Sequence, residues 1–358
     1  MARIAIIPGD GIGQEVVPEA VKVLETIALR DGLELDFDDW PHGADHYLET
    51  GCSITDDEMR RLGGYDAVLL GALGDPRVPD NAHARDILLG MRFRLDLYVN
   101  LRPVRLLSPR LTPLRDVRPS DVDITIFREN TEGSYVGVGG VFKRGTPDEI
   151  ALEEDVNTRT GVERIIRAAF EYARARARRR VTMVDKANAL RHAGDLWRRA
   201  FAEIGAEYEE IEREALYVDL VAHDLVRRPE RFDVIVTGNL FGDILSDLAA
   251  ALVGGLGLAP SANLRPGGPG VFEPVHGSAP DIAGTGRANP LAAILSAAML
   301  LEHLGHARAA GDVVDAVRDA LVEGPLTQDL GGEASTAEIG DRVRDVIQKT
   351  PARIRNTE

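Results

Sequence analysis

Two aspartates spaced four residues apart could bind a divalent cation. Asp243 and Asp247 follow residues 237–242, where an apolar, strand-like stretch gives way to glycines and a helical pattern begins. On a helix, residues four apart lie on one face, one turn apart. Two such carboxylates repel each other unless a cation lies between them, and oxygen ligands of this kind suit Mg²⁺ or Mn²⁺. A helix-capping Asp243 with a solvated Asp247 is an equally open interpretation. The adjoining apolar stripe is expected to seat this helix on the core, through Ile244, Leu245, Leu248 and Leu252.

Three arginines could bind an anionic substrate. Arg92, Arg102 and Arg128 each lie near a predicted strand end or turn. A planar guanidinium group binds a carboxylate through two hydrogen bonds, although a single arginine is more often part of a surface ion pair. Arg128, for example, stands beside Glu129 and could simply pair with it. An anion site therefore depends on the three arginines acting together.

Lysine is rare in this chain, where arginine supplies most of the positive charge. Only four of the 42 basic residues are lysines, namely Lys22, Lys143, Lys186 and Lys349. Arginine stays charged at every working pH, so a lysine in such a chain can mark a place where a deprotonatable amine is needed. Each of the four lysines, Lys186 among them, is a candidate for such a place.

The elements that must position these side chains follow an α/β pattern. Short apolar, β-branched runs predict buried strands, and longer helical patterns alternate with them. The strands are expected at residues 3–7, 67–70, 123–127, 181–184 and 233–236, and helices at 14–27, 161–176 and 191–204. The glycine-rich residues 137–145 predict a protruding hairpin or arm, and residues 254–270 predict a functional loop.

The turn after the first strand only superficially matches a dinucleotide-binding fingerprint. Residues 8–14 read PGDGIGQ, so Gln14 occupies the third glycine position. Asp10 would also place a negative charge where the loop should hold a pyrophosphate. The nucleotide site is therefore expected elsewhere in the chain.

Composition limits the classes of partner. The net charge of −16 opposes nucleic acid and anionic membranes, and the basic residues 174–180 carry no interleaved aromatics and are expected to end a helix. No stretch approaches the 18 apolar residues typical of a transmembrane helix, and no signal peptide is recognisable. The single Cys52 allows no intrachain disulfide and no cysteine-based zinc site. The cytoplasm is the expected location.

Several ordered motifs resemble those of the isocitrate and isopropylmalate dehydrogenase family, the metal-dependent β-decarboxylating dehydrogenases. The longest are GNLFGDILSD at 238–247 and FEPVHGSAPDIAG at 272–284, followed by Asn289-Pro290. Shorter ones are PGDGIG at 8–13, NLRP at 100–103, RENTEG at 128–133 and DKAN at 185–188. The likeness spans nearly the whole chain, so chance agreement is negligible.

The resemblance implies a role for each candidate residue. Arg92, Arg102 and Arg128 would hold the two carboxylates of a malate. Asp219, Asp243 and Asp247 would bind Mg²⁺ or Mn²⁺, which stabilises the oxygen charge that develops as hydride and then CO₂ depart. Lys186 would take the hydroxyl proton through Asp219 or a water, and Tyr135 would protonate the enolate carbon. A packing role in the arm is the alternative for Tyr135.

The resemblance also implies NAD as the cofactor. Residues 276–284 are similar to the family loop that wraps the adenosine half. Asp281 would accept hydrogen bonds from the ribose hydroxyls and repel a 2′-phosphate, and Ile282 fits the same preference because NADP-using relatives tend to carry basic and aromatic residues there. Asn289 would contact the adenine. The expected cofactor-binding residues are Glu273, His276, Gly277, Ser278, Ala279, Asp281, Ile282 and Asn289.

The implied architecture is a two-domain, isopropylmalate-dehydrogenase-like α/β fold, distinct from the standard Rossmann fold. Residues 1–100 with 254–358 would form the nucleotide-binding domain, and residues 101–253 the substrate, metal and dimerisation domain. A dimerisation arm is expected near residues 134–155. Because Lys186 and Asp219 come from the neighbouring subunit in this family, a homodimer with shared active sites is expected.

The resemblance further implies that the helix before Arg92 contacts the substituent on C3 of the malate. Leu88 and Leu89 would offer an apolar wall, which suits the alkyl group of 3-isopropylmalate better than a γ-carboxylate. Ala84 stands where actinobacterial isopropylmalate dehydrogenases usually place a glutamate, and Arg85 could reach an acidic substituent. The expected reaction is therefore 3-isopropylmalate to 2-oxoisocaproate, as in leucine biosynthesis, with homoisocitrate, tartrate or D-malate, and a bulkier 3-alkylmalate as alternatives.

Two interpretations from other classes stay open at this stage. One is a dehydrogenase that uses neither metal nor decarboxylation. The other is a non-catalytic relative kept as a binding subunit, which the intact Lys186, Tyr135 and Asp219 oppose.

Overall fold

The computed structural model describes residues 1–351, and a mixed β-sheet runs through the middle of the protein. The strands are β1 Ala2–Gly9, β2 Leu35–Asp39, β3 Ala67–Ala72, β4 Val99–Arg105, β5 Asp123–Glu129, β6 Gly139–Phe142, β7 Ile150–Glu153, β8 Arg180–Asp185, β9 Glu212–Tyr217, β10 Val234–Thr237, β11 Pro260–Leu264 and β12 Gly270–Pro274. The main sheet has ten strands in the order β2-β1-β3-β12-β11-β4-β5-β10-β8-β9. Neighbouring strands are parallel except where β11 meets β12 and β4, and where β4 meets β5.

Helices cover both faces of this sheet. They are α1 Gly13–Asp31, α2 Ala44–Thr50, α3 Asp56–Leu62, α4 Ala82–Ala84, α5 Gly90–Arg94, α6 Arg159–Ala175, α7 Arg191–Gly205, α8 Val218–Arg227, α9 Asn239–Ala251, α10 Leu291–His303, α11 Ala307–Glu323 and α12 Thr336–Lys349. A π-helical turn, Arg85–Leu89, joins α4 to α5. We call the resulting continuous helix, residues 82–94, the pocket helix. None of the helices within residues 1–351 is both long and apolar enough to span a bilayer.

The core divides into apolar clusters on the two halves of the sheet. Helices α1, α10, α11 and α12 pack together over β1, β3 and β12 in the largest cluster. Helices α6 and α7 pack over β5, β8 and β10 in a second one. The division into domains at residues 100 and 254 stays a prediction, because the sheet itself continues across both boundaries.

The strands and helices expected from the sequence are confirmed, with ends that differ by a few residues. The hairpin expected at residues 137–145 is also present, as the exposed antiparallel pair β6 and β7. The interpretation of residues 254–270 as a loop is wrong in its middle, because β11 lies there as an interior strand. The polar residues and flanking glycines of this segment are typical of a loop, so the sequence did not predict a strand. β11 is buried because β12 and β4 pair with it on either side.

Strands β4 and β11 carry different chemistry on their two faces. Asn100 and Arg102 in β4 bond to Ser261, Asn263 or Ser246 on one face of the sheet. The intervening Leu101, Pro103, Ala262 and Leu264 line an apolar groove on the other face, below α10 and α11. This follows from the two-residue period of a strand, whose successive side chains point to opposite faces. These strands therefore form a common wall between a polar cleft and an apolar groove.

A buried carboxylate fixes helix α8, which follows β9. Asp224 is fully buried and accepts hydrogen bonds from Arg228 at 2.7 Å and from Arg231. Burial opposes the ionised form of this carboxyl group, but hydrogen bonds from His223, Arg228 and Arg231 outweigh it and lower the pKa of Asp224 to about 2. The ionised carboxylate therefore ties the end of α8 to the start of β10.

We expect Asp224→Asn to lower the free energy of unfolding by about 3 kcal/mol at pH 7, because it removes one partner of a buried ion network. The native pKa lies below the unfolded value of 3.8, so the stabilisation is full above about pH 4 and disappears as the pH falls toward 2. Urea unfolding of both proteins from pH 7 to pH 2 measures this difference. Asp315→Asn, which removes an exposed acid on α11, is the control and should change stability by less than about 0.5 kcal/mol. A loss at Asp224 no larger than that would contradict the assignment.

Candidate active site

Three buried arginines converge on one cavity of about 270 Å³. Arg92 projects from α5, Arg102 from β4 and Arg128 from β5, and each is less than 8% exposed. All three line the cavity, as the sequence analysis expected if they act together. Burial and mutual repulsion with Arg102 and Arg92 lower the pKa of Arg128 to about 10, so its guanidinium remains charged at neutral pH.

Arg92 is held by the side chains of Asn263, in β11, and Glu273, in β12. Its Nε donates to Oδ1 of Asn263 at 3.0 Å, and its Nη2 donates to Oε1 of Glu273 at 3.2 Å. Asn263 is fully buried, and its Oδ1 also accepts from Asn100 and Asn130 while its Nδ2 donates to Glu273 at 2.8 Å. The amide of Asn263, in β11, therefore links Arg92 to Asn100 of β4 and to Glu273 of β12.

Arg102 and Arg128 are oriented by helix α9. Arg128 donates from Nε and Nη2 to Oδ1 of Asn239, at 3.0 and 2.8 Å, and from Nη1 to Asp243. Arg102 donates from Nη1 to Oγ of Ser246 at 2.6 Å and to Oδ1 of Asp247 at 3.2 Å. The local pairing of Arg128 with Glu129 does not occur, because Glu129 accepts instead from Thr131 and from the backbone of residue 132. The first turns of α9 and the two arginines form one network.

The sharp entry into α9 depends on glycine. Strand β10 ends at Thr237, Gly238 precedes the helix, and Asn239 is its first residue. A Cβ on Gly242 would lie 2.6 Å from Cβ and Cγ of Arg128, closer than side-chain atoms can approach. Gly242 therefore lets the helix backbone pack directly against the arginine that Asp243 binds.

Asp243 and Asp247 lie on one face of α9, as their spacing predicted, and both lie near Arg102. Asp243 lines the cavity, whereas Asp247 is exposed and does not. Burial alone would raise the pKa of Asp243, but Arg128, the Tyr135 hydroxyl and Arg102 together lower it. For Asp247, burial and the charge of Asp243 raise the pKa in spite of Arg102. Asp243 is thus held ionised, and its negative charge repels the carboxylate of Asp247. A dication bound between them would relieve this repulsion.

One residue of the stripe predicted to seat α9 on the core is placed wrongly by the sequence analysis. Leu245 and Leu252 are buried and Leu248 packs against them, but 56% of Ile244 is exposed. The core-facing side of this short helix is filled by small residues such as Ala249, so a wide apolar stripe is not needed there. Ile244 and the neighbouring Leu240 instead present an apolar surface next to the aspartates.

Tyr135 stands in the cavity and not in the packed part of the arm. Its hydroxyl donates to Oδ2 of Asp243 at 2.7 Å, and Arg128 lies over its ring. Burial and the neighbouring Asp243 raise the pKa of Tyr135, so the phenol keeps its proton at neutral pH. The packing alternative for this tyrosine is therefore disfavoured by the geometry.

Lys186 and Asp219 form a pair of their own. Nζ of Lys186 donates to Oδ1 of Asp219 at 2.7 Å, and this contact lowers the pKa of Asp219. Neither residue lines the cavity that holds the arginines and Asp243; Lys186 lines a different one, beside Trp197. Within residues 1–351, no three His, Cys, Asp or Glu side chains come together as a metal site. Of the three predicted metal ligands, Asp243 and Asp247 lie next to each other in a single chain, and Asp219 lies apart from them.

The pocket helix forms an apolar side of the same cavity. Ala84, Leu88 and Leu89 line it beside Arg92, together with Leu73 from the loop after β3. Arg85 is exposed and does not line the cavity. The π-helical turn inserts its extra residue just before Arg92, which sets how the leucines face the arginine.

The expected cofactor residues differ in what they contact. Glu273, His276 and Gly277 line the cavity, where Glu273 pairs with Arg92. Burial lowers the pKa of His276, and its Nε2 has no hydrogen-bond partner among the described residues. An unpartnered, buried polar atom beside an open cavity is a place where a cofactor atom can bind.

The rest of the loop lies on the surface next to the first glycine turn. Ser278 accepts a hydrogen bond at its carbonyl from Ile12, Ala279 has a positive φ of 40°, and Asp281 is exposed. Ile282 packs against the large core cluster. Asn289 is buried and its amide is already engaged by Asp329 and by the backbone of Leu291. The loop is thus anchored at both ends with Asp281 free at its centre.

Sequence reasoning missed the polar residues that hold the arginines. They are Asn100, Asn239, Ser246, Ser261 and Asn263. Three of them, Asn100, Asn239 and Ser246, stand inside motifs noted above. Asn239 in the GNLFGD motif could have been inferred as an Arg128 ligand from its place at the helix start. Asn263 carried no signal, because its segment was interpreted as a loop.

The charges in the cleft fit a metal ion bound together with an anionic substrate. Three guanidinium groups face the carboxylates of Asp243, Asp247 and Glu273, so the cluster is neutral as a whole. A dication and a dicarboxylate added together would keep it neutral, whereas either one alone would leave buried charge uncompensated. The hard oxygen donors of Asp243 and Asp247 suit Mg²⁺ or Mn²⁺.

This fold and cleft are those of an α/β protein with an arginine-lined anion site beside two carboxylates suited to a divalent cation. The family model described as isocitrate/isopropylmalate dehydrogenase matches residues 3–343, and the chain belongs to this family. Its members are, as a general property, NAD- and divalent-metal-dependent decarboxylating dehydrogenases of substituted malates.

Relatives agree with this membership. The chain is 51% identical to the 3-isopropylmalate dehydrogenase of Thermobifida fusca, over 97% of each chain. It is 49% identical to the 3-isopropylmalate dehydrogenase of Streptomyces griseus, over 94% of this chain and 96% of that one. Among solved structures, an isocitrate dehydrogenase from Methylococcus capsulatus is 39% identical and superposes with a TM-score of 0.89, over 98% of this chain and 100% of that one.

We expect Arg128→Lys to lower kcat/KM for a substituted malate about 100-fold, because lysine keeps the charge but cannot bond to Asn239 and Asp243 through a planar fork. The Kd for NAD should stay within about twofold, since Arg128 lies on the substrate side. Steady-state kinetics and a fluorescence titration with NAD measure the two effects. Arg167→Lys, at a surface pair with Glu207, is the matched control. Equal kinetics in both variants would remove Arg128 from the substrate site.

Proposed function

We propose that the chain catalyses the NAD-dependent oxidative decarboxylation of 3-isopropylmalate to 2-oxoisocaproate, a step of leucine biosynthesis. The observation that carries this proposal is the apolar wall of Leu88 and Leu89 directly beside Arg92. Among the described residues, no cation besides the three arginines lines the cavity. An alkyl substituent fits this wall, while a third carboxylate would find no partner there.

The proposed roles follow from the hydrogen-bonding capacity of each residue. Arg92, Arg102 and Arg128 would bind the two substrate carboxylates and orient C2 for hydride transfer. A divalent ion held by Asp243, Asp247 and Asp219 would supply a Lewis acid that lowers the pKa of the substrate hydroxyl. Bound NAD would supply the hydride acceptor for C2, and the Lys186–Asp219 pair would accept the hydroxyl proton.

Tyr135 is suited to the last proton transfer. Loss of CO₂ leaves electron density on C3, which must be protonated to complete the product. Tyr135 keeps its proton at neutral pH and its hydroxyl already lies in the cavity, bonded to Asp243. Its Oη is therefore proposed as the proton donor to C3.

A bulkier 3-alkylmalate is the second candidate substrate. Ala84 lines the cavity one turn before Leu88 and is the smallest side chain of the wall, so it leaves room beyond the branched alkyl group. Isocitrate, homoisocitrate and tartrate fit less well, because Arg85 is exposed outside the cavity and offers no charge to a polar substituent.

NAD is the proposed nicotinamide cofactor. Exposed Asp281 lies at the centre of an anchored loop, where its carboxylate can accept hydrogen bonds from ribose hydroxyls and would repel the 2′-phosphate of NADP. His276 and Gly277 extend this loop into the substrate cavity. A cytoplasmic location, without nucleic-acid or membrane partners, stays a prediction from charge and composition.

The active unit is proposed to be a homodimer with shared sites. The Lys186–Asp219 pair lies outside the cavity of its own chain, so a second chain is needed to bring it to Asp243. Exposed apolar residues near both parts offer a surface for this contact: Leu220 on α8, Leu240 and Ile244 on α9, and Val141, Phe142, Ile150 and Leu152 on the arm. Exposed apolar side chains of this size and number are typical of an interface between subunits.

The reaction is tested by following NADH formation and CO₂ release with Mg²⁺ or Mn²⁺ across 3-isopropylmalate, a 3-benzylmalate, homoisocitrate, isocitrate, tartrate and D-malate. We expect the highest kcat/KM with 3-isopropylmalate, one CO₂ per NADH, loss of activity with EDTA, and at least tenfold lower kcat/KM with NADP. NADH without CO₂, or turnover that persists after chelation, would contradict the proposal.

Shared sites are tested by complementation between two inactive variants. Lys186→Ala and Asp243→Asn chains, co-expressed with different tags and purified as a mixed dimer, should regain activity because one of the two sites is then intact. Each variant alone should lose kcat by orders of magnitude. The control pair is Lys186→Ala with Asp219→Asn, whose mixed dimer has both sites damaged. Equal activity in the two mixtures would show that each site uses one chain.

A further inference from the structure

Asp10 is a buried carboxylate that the proposed chemistry does not use. It lies in the glycine turn after β1 and is 5% exposed. Its Oδ1 accepts from the backbone N–H of Ala44 at 2.6 Å, and its Oδ2 accepts from that of Gly74 at 2.7 Å. Nε2 of His83 lies 2.7 Å from the same Oδ2. The carboxylate already accepts from two backbone groups, so the imidazole donates in the third bond.

His83 anchors the first turn of the pocket helix. The two residues before this helix, Asp80 and Asn81, have positive φ angles of 56° and 48°, and no side chain caps its N-terminus. His83 is fully buried, stacks on Tyr47, and its Nδ1 has no hydrogen-bond partner among the described residues. The bond to Asp10 is therefore the polar contact that fixes the ring.

The other side of Asp10 leads to the proposed nucleotide loop. The backbone N–H of Ile12 donates to the carbonyl of Ser278 at 2.8 Å. The carboxylate of Glu15 accepts from the backbone of Gly284 at 2.5 Å and of Gly286 at 2.8 Å. The turn that contains Asp10 is thus bonded to the start of residues 278–286, and the first turn of α1 directly after it is bonded to their end.

We propose that Asp10 and His83 are positioning residues that hold the apolar wall of the pocket helix in a fixed place relative to the nucleotide loop. His83 stands five residues before Leu88 and nine before Arg92 on one continuous helix. A shift of its first turn moves the leucines while Arg92 remains held by Asn263 and Glu273. Recognition of the alkyl substituent then suffers, and binding of the malate carboxylates does not. This inference rests on the proposed function, since it assigns a determinant of alkyl selectivity at that same site.

The test compares His83→Leu with His83→Gln. Leucine fills the volume but cannot donate, and it leaves a buried carboxylate with one bond fewer; the amide nitrogen of glutamine can take the place of Nε2. For His83→Leu we expect KM for 3-isopropylmalate to rise about tenfold with kcat within about twofold, while kinetics with unsubstituted D-malate change little. His83→Gln should restore KM to within about threefold of the wild-type value.

Ser53→Ala is the matched control. Oγ of Ser53 donates to Asp86 at 2.9 Å, so this change also removes a tie to the pocket helix, but one that does not involve Asp10. The ratio of kcat/KM for 3-isopropylmalate to that for D-malate should stay near the wild-type value. Circular dichroism and thermal unfolding show whether each variant is folded. If His83→Leu does not fold, Asp10→Asn supplies the same measurement, because it keeps the volume and removes the charge.

An unchanged ratio in the folded His83→Leu or Asp10→Asn protein overturns the inference, as does an equal change in Ser53→Ala. Failure of the proposed function is seen separately in the wild type. If the wild-type enzyme prefers another substituted malate, the ratio is measured with that substrate against D-malate.

Discussion

Three positive charges within one buried cluster constrain the whole site. Arg92, Arg102 and Arg128 repel one another, and none of them is exposed enough for water to screen the repulsion. The chain compensates with carboxylates from helix α9 and strand β12, and with amide oxygens that accept several donors each. The cleft is therefore neutral, and the groups that now bond to the arginines can be replaced by a ligand of the same charge. A metal ion and a dicarboxylate can enter as a pair because together they leave the sum of charges unchanged.

The sequence predicted the parts of the site that depend on local spacing. Asp243 and Asp247 lie on one helical face because four residues make about one turn, whatever the rest of the chain does. Arg128 was ambiguous, since only the tertiary fold shows that its partner is Asp243 and not the adjacent Glu129. Asn263 could not be inferred, because its importance comes from β4 and β12 pairing on both sides of it. Pairing between residues distant in sequence decides the roles of Arg128 and Asn263, and the local sequence pattern does not predict such pairing.

The same limit explains the error at Ile244. Helical periodicity indicates which residues share a face, but it does not predict what packs against each face of the helix. Helix α9 packs on its own sheet through small residues and leaves Ile244 outside. The proposed homodimer would account for the exposed Ile244, because a second chain would cover this apolar side chain next to a proposed metal ligand. The same proposal would account for the Lys186–Asp219 pair, which lies apart from the cavity of its own chain.

The two-sided chemistry of β4 constrains how this gene can vary. Arg102 and its neighbour Leu101 face opposite sides of the sheet, one toward the anion-binding cleft and the other toward the apolar groove. A deletion or insertion of a single codon in this strand would exchange the two faces, placing a guanidinium among leucines and an isobutyl group among carboxylates. A substitution at one position in Val99–Arg105 changes one side chain, whereas a frame-preserving change in length moves every side chain beyond it to the other face. We therefore expect length to be the most strictly inherited property of this strand.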